Sequence, residues 1–235
     1  ETIYFDKIPL DKILELTKTP SMLFLENRLR DNLRSFYEIF SSVFERFQGF
    51  YSYKANFLPK ICEIIHSEGF GAEVIGLPEL KLALKIGGPS DKIIVGGPYT
   101  PRELIEHSMK NKIKEIIVYN INDLEKINAI AKEYNIIQNI CIRVNSQKYG
   151  AKLGVILDDH TLEKIKNTIK KCDNIEITTI LSHFSTQMNN FTQFEKNLDI
   201  IASSLTELRL IGLEIENINL GGGFPEAAVM PKNQL

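Results

Sequence analysis

The sequence predicts an α/β protein, a (β/α)8 TIM-type barrel that stops after its seventh strand. Three observations carry this. The strand-like segments are continuous Val/Ile/Leu runs, as expected of a parallel sheet covered on both faces. A segment with helical spacing follows nearly every one, so strand and helix alternate seven times from Phe50 onward. The Gly-x-Gly-x-x-Gly fingerprint of the rival fold, an open doubly wound sheet, is missing after the first strand.

Each element has its own signal. Residues 21–25 are apolar and extended after Pro20. Residues 29–47 place Leu29, Leu33, Phe36, Tyr37, Phe40, Val43, Phe44 and Phe47 at helical spacing, and Gly49 ends that helix. Strands are expected at 50–55, 71–75, 92–95, 116–119, 139–144, 177–182 and 215–220. Helices are expected at 59–67, 78–85, after 100–103, at 122–134, 161–171 and 191–208. Pro78 suits a first turn, Thr100-Pro101-Arg102-Glu103 has the form of a capping box, and Asn122 is the expected cap of its helix. Residues 230–235 resemble a helix start. Seven strands leave two unpaired edges, so the expectation is the N-terminal portion of a longer protein. The alternative is an open sheet whose gap another chain fills.

With 235 residues, the chain is long enough for one domain with a large core. A net charge of −2 gives no sign of a nucleic-acid or anionic-membrane surface, and no apolar run approaches a membrane span. Cys62, Cys141 and Cys172 lack metal-ligand spacing and read as buried thiols of a reducing, cytoplasmic setting.

Lys54 stands where a strand meets its loop, the face on which such barrels hold their sites. Its aromatic neighbours Tyr51 and Tyr53 should partly desolvate it, freeing the amine for condensation with an aldehyde. The plainer reading is a lysine reaching solvent. His183 ends a later strand and could stack on a flat cofactor, or be a core histidine bonded to a carbonyl. Gly221-Gly222-Gly223 ends the last strand and could cradle a phosphate, or form a tight turn. Ser182, Ser185, Thr186 and Gln187 surround His183 with hydroxyls and an amide. Arg143 and Glu73 are charges within apolar strands, either ligand-binding or a buried ion pair. His66, His107 and His160 read as structural or solvated. A lysine, a stacking imidazole and a bare phosphate loop at strand ends are the needs of a pyridoxal 5'-phosphate (PLP) site.

These residues resemble the fold-type III PLP-dependent decarboxylases, the family of diaminopimelate and eukaryotic-type ornithine decarboxylases. Tyr51-Ser52-Tyr53-Lys54-Ala55-Asn56 resembles the motif whose lysine binds PLP. The stretch from Gly71-Ala72-Glu73-Val74 to Glu79 resembles a Gly-Ala-Asp-Val…Glu block, with Glu73 in place of the family's Asp. Lys152-Leu153-Gly154 stands for Lys-Phe-Gly. His183-Phe184-Ser185-Thr186-Gln187 resembles His-Ile-Gly-Ser-Gln, so Thr186 would replace a phosphate-binding serine. Leu220-Gly221-Gly222-Gly223-Phe224-Pro225 is similar to the phosphate loop.

The resemblance implies a barrel of the alanine racemase/decarboxylase kind over 29–235. It also implies an entry segment over 1–28, with a strand belonging to a C-terminal β-domain. PLP would be held by Lys54, Glu73, Glu79, Arg143, His183, Thr186, Gly221, Gly222 and Gly223, with Lys54 and His183 catalytic. The implied partners are an amino-acid substrate and a second copy sharing active sites. Departures are the lack of a His-rich loop in 145–150, of a Ser-Gly-Gly-like turn at 76–78, and of the Glu-Pro-Gly-Arg motif. Amino-acid decarboxylation is the expected activity, with the amino acid left open. A PLP-dependent racemase and a non-catalytic binding homologue are the alternatives.

Overall fold

The computed structural model describes residues 2–145, 152–185 and 188–224. A short hairpin, β1 (Tyr4–Phe5) and β2 (Ile8–Pro9), opens the chain and leads into α1 (Leu10–Leu16). Neither was expected from sequence, because two-residue strands carry no periodicity. Asp6 and Lys7 take positive φ of 46° and 69° in the turn between them, as a two-residue hairpin with a type I′ turn requires. Residues 21–25 pair with no described strand.

The body is a single parallel sheet of seven strands in sequential order. They are β3 (Phe50–Ser52), β4 (Gly71–Val74), β5 (Ile93–Val95), β6 (Glu115–Val118), β7 (Gln138–Val144), β8 (Ile175–Ser182) and β9 (Asn217–Asn219). The helices on the outer face are α3 (Pro59–Ser67), α4 (Leu77–Lys85), α5 (Arg102–Lys110), α6 (Asn122–Glu133), α7 (Asp159–Ile169) and α8 (Phe191–Leu210), with α2 (Glu26–Ser41) ahead of β3. The sheet curls: Phe50 of β3 packs in one cluster with Ile94, Ile117, Cys141 and Leu181 of β5 to β8. The result is most of a barrel, the expected architecture, with β3 and β9 as its edges.

Alternation along each strand makes two cores. The larger one lies between sheet and helices and includes fully buried Ile93, Leu104, Ile116, Leu124, Ile127 and Ile140. Each such side chain contributes roughly 1.5–3 kcal/mol relative to an exposed one. The smaller one lies inside the curl.

Three local expectations are corrected. α2 stops at Ser41 rather than reaching Phe47. The hydroxyls of Ser41 and Ser42 bond back to the carbonyls of Glu38 and Ile39, the competition that makes serine a poor helix interior residue. Phe44 and Phe47 then fold back onto Phe40. The capping box at 100–103 does not form: α5 follows Pro101 with no side-chain cap. At α6, Asn120 rather than Asn122 accepts a backbone N–H, from Asn122 at 3.0 Å.

Candidate active site

Strand parity decides which side chains meet. Phe50 and Ser52 face the interior of the curl, whereas Tyr51 packs outward on Ile61, Ile65 and Phe70 of the α3 layer. Lys54 lies in the turn just beyond β3, closed by the Ala55 N–H on the Ser52 carbonyl at 3.1 Å. Tyr53 is fully buried but Lys54 is exposed, so the expected desolvation of the amine is not observed. The physical reason is that the rings of Tyr51 and Tyr53 pack outward into the helix-side clusters.

Three further strand ends converge near this amine. Glu73 lies half-buried in β4. Glu79, in the first turn of α4, accepts a 2.7 Å bond from the Ile75 N–H and closes the loop between β4 and that helix. Burial pushes the Glu79 carboxyl above its usual range; the Ile75 N–H opposes this, the negative Glu73 adds to it, and the Lys54 ammonium opposes it. From β8, His183 has its pKa pushed down to about 4, first by burial and then by the positive charges of Arg143 and Lys54. The imidazole is therefore neutral near pH 7. Its Nδ1 accepts a 3.2 Å bond from the Gly222 N–H, which leaves the proton on Nε2.

Arg143 stacks its guanidinium 5.0 Å from the ring centroid of Tyr119 and donates from Nη1 to the phenol oxygen at 3.3 Å. It forms no ion pair with Glu73 or any other carboxylate among the described residues. The buried-pair alternative is thus set aside. Its buried Nε has no hydrogen-bond partner, and the buried Ser52 Oγ and Asn145 Oδ1 also lack one. All three lie at the C-terminal ends of β3 and β7.

The three glycines have different reasons to be glycine. Gly221 and Gly223 take φ of +70° and +91°, and a Cβ on Gly221 would lie 2.6 Å from the Ser182 carbonyl. Gly222 has no such need: the nearest atom to its Cβ position is His183 Cε1, at 3.9 Å. Its bareness leaves room beside the imidazole. The converging N–H groups of a phosphate nest are not all free, however. Gly221 donates to Asn219 Oδ1 at 2.9 Å and Gly222 donates to His183. Side-chain acceptors within reach capture these amides.

Asn219 holds the turn of the loop through its bond from the Gly221 N–H. Sequence reasoning missed Asn197 entirely. This buried α8 residue accepts from Ser182 Oγ at 2.6 Å and donates to the Leu220 carbonyl at 3.1 Å, tying β8 to the glycine loop. An amide on the core-facing side of a helix was its available signal. Thr186 and Gln187, like 230–235, lie outside the described residues. An exposed amine, a neutral flat imidazole, a bare Gly222 and an unpaired guanidinium donor are together a set that fits PLP.

The family model for the pyridoxal binding domain of pyridoxal-dependent decarboxylases matches residues 30–234. The chain belongs to this family, and PLP is its cofactor. Among curated proteins it is 25% identical over 237 residues to diaminopimelate decarboxylase of Methanocaldococcus jannaschii, covering 94% of this chain and 54% of that one. It is 26% identical over 232 residues to the Bacteroides thetaiotaomicron diaminopimelate decarboxylase, covering 92% and 58%. The chain thus spans about half the length of the curated relatives it matches. The crystal structure of the M. jannaschii enzyme superposes with a TM-score of 0.85 at 24% identity, over 96% of this chain and 56% of that one. A lysine decarboxylase from Selenomonas ruminantium superposes at 0.70 with 14% identity, over 96% and 58%. These superpositions establish the shared fold.

Proposed function

We propose that this chain forms the cofactor-binding part of an enzyme that decarboxylates an amino acid with PLP, of the diaminopimelate decarboxylase kind. The observation that carries this reading is the convergence of Lys54 and Arg143 on one neutral imidazole beside the glycine loop. Bound PLP supplies an electron sink for the pair left behind when a carboxylate departs as carbon dioxide. The residues of the chain do the holding. Lys54 offers its amine at the open mouth as the point of covalent attachment. His183 presents a flat, uncharged face to cover a ring. Gly222 leaves the space a phosphate needs, and Arg143 offers an unpaired donor to an anion. Glu73 and Glu79 set the charge around Lys54, and Thr186 would add a hydroxyl to the phosphate contacts. A cytoplasmic homodimer with shared sites belongs to the same reading.

The test uses the full-length protein with PLP. The visible band of lysine-linked cofactor, a borohydride-fixed label on Lys54, and carbon dioxide release from diaminopimelate, lysine or ornithine are the expected results. Racemisation without carbon dioxide release would point to the racemase. A stable visible band with neither reaction would point to a binding homologue.

A further inference from the structure

Tyr53 is the residue before the site lysine. Its ring is fully buried, and its hydroxyl lies 2.7 Å from Nε2 of His66 on α3. The other nitrogen of that imidazole, Nδ1, lies 2.9 Å from the carbonyl oxygen of Phe70 at the entry to β4. A carbonyl only accepts, so Nδ1 carries the proton and Nε2 is bare. The phenol must then be the donor to Nε2, a role that suits it, since burial holds the Tyr53 hydroxyl well above its ordinary pKa. The space around the imidazole is restricted as well. A Cβ on Gly88, just beyond α4, would lie 3.3 Å from Nε2. The chain Tyr53, His66, Phe70 therefore joins the end of β3 to α3 and β4.

We propose that His66 is a positioning residue for the site, acting through Tyr53 to fix the direction in which Lys54 leaves the strand. The backbone supports a lever of this kind. The Tyr53 N–H bonds to the Glu73 carbonyl at 2.9 Å, and the Ala55 N–H bonds to the Ser52 carbonyl at 3.1 Å, so the turn pivots about Tyr53. Tyr53 and Lys54 are the two central residues of that turn, so locking the phenol of one fixes the backbone from which the other leaves. Lys54 is exposed and has no hydrogen-bond partner of its own among the described residues, so its orientation has to come from the backbone. The inference rests on Lys54 being the attachment point.

The test takes full-length parent, Tyr53→Phe, His66→Leu and His66→Gln. In the cofactor-free parent, nitrogen NMR of the histidine should show His66 protonated at Nδ1; the opposite tautomer overturns the proposal. With PLP, Tyr53→Phe should shift or weaken the visible band and raise the PLP dissociation constant about five- to tenfold, the scale of one lost hydrogen bond. His66→Leu should do the same. His66→Gln, whose amide can still accept from the phenol, should restore part of the affinity. If His66→Leu does not fold, the isosteric Tyr53→Phe decides. Borohydride mapping of the parent separates the two readings. A label away from Lys54 overturns the site assignment and this inference together. A label on Lys54, with band and affinity unchanged in Tyr53→Phe, overturns the positioning role alone.

Discussion

The interior of the curled sheet holds two polar layers that differ in one respect. Near its closed end, Glu115 at the start of β6 accepts a 2.6 Å bond from Thr179 of β8, and both residues are almost fully buried. Burial raises the Glu115 carboxyl, and the Thr179 hydroxyl only partly offsets this. At the open end, Ser52 Oγ, Arg143 Nε and Asn145 Oδ1 are buried with no partner. A buried polar group without a partner costs about 1–3 kcal/mol, so an arrangement that leaves three together costs stability in the absence of a ligand. The paired layer is structure; the unpaired layer lies in the candidate site.

Predictions that break this contrast can be ranked. The largest effect is at Lys54: Lys54→Ala should abolish the borohydride-fixed pyridoxyl label and change the cofactor-free melting temperature by less than about 2 °C, as for an exposed side chain. A label on another lysine would refute the site.

Next come the glycines. Gly222→Ala should weaken PLP binding about tenfold or more with little change in melting, because its Cβ meets nothing within 3.4 Å in the free chain. Gly221→Ala should instead destabilise the protein itself by about 1–3 kcal/mol, given its φ of +70°. Paired PLP titrations and denaturant melts distinguish them; the reverse order would erase the distinction between a glycine the loop needs and one the ligand needs.

The paired layer should respond in the opposite sense. Glu115→Leu leaves the Thr179 hydroxyl stranded and should cost about 1–3 kcal/mol, with PLP affinity unchanged, while Glu115→Gln keeps an acceptor and should cost less. A fall in PLP affinity with either variant would mean that the two layers are coupled.

The smallest effect is the pH dependence. Folding lowers the His183 pKa from the usual 6.5 to about 4, so the folded chain favours the neutral ring. Its contribution is complete above pH 6.5 and is lost as pH falls from 6.5 to 4, with a slope no steeper than about 1.4 kcal/mol per pH unit. Glu115 works the other way. Its raised pKa makes the contribution complete below the ordinary glutamate value and lost as pH rises from there through the raised folded value. Denaturant melts of the cofactor-free protein from pH 4 to 7 should show an acid-side loss that His183→Gln flattens. An unchanged slope in that variant would remove His183 from the account.

The order of strands, their parallel sense and the outer helices were legible in the chain because burial on both faces forces continuous apolar runs. Lys54, His183 and the triple glycine were legible because each breaks such a run at its end. What stayed hidden depends on contacts far apart in sequence. No local pattern announces that Asn197 reaches the Leu220 carbonyl across 23 residues. The exposure of Lys54 depends on which face its neighbours take, which the pairing of β3 with β4 decides. The sequence by itself determined the kind of fold and which residue types stand at strand ends. Only the tertiary structure decided which of their polar atoms find partners, because hydrogen bonding in the interior is settled by distance and direction between strands.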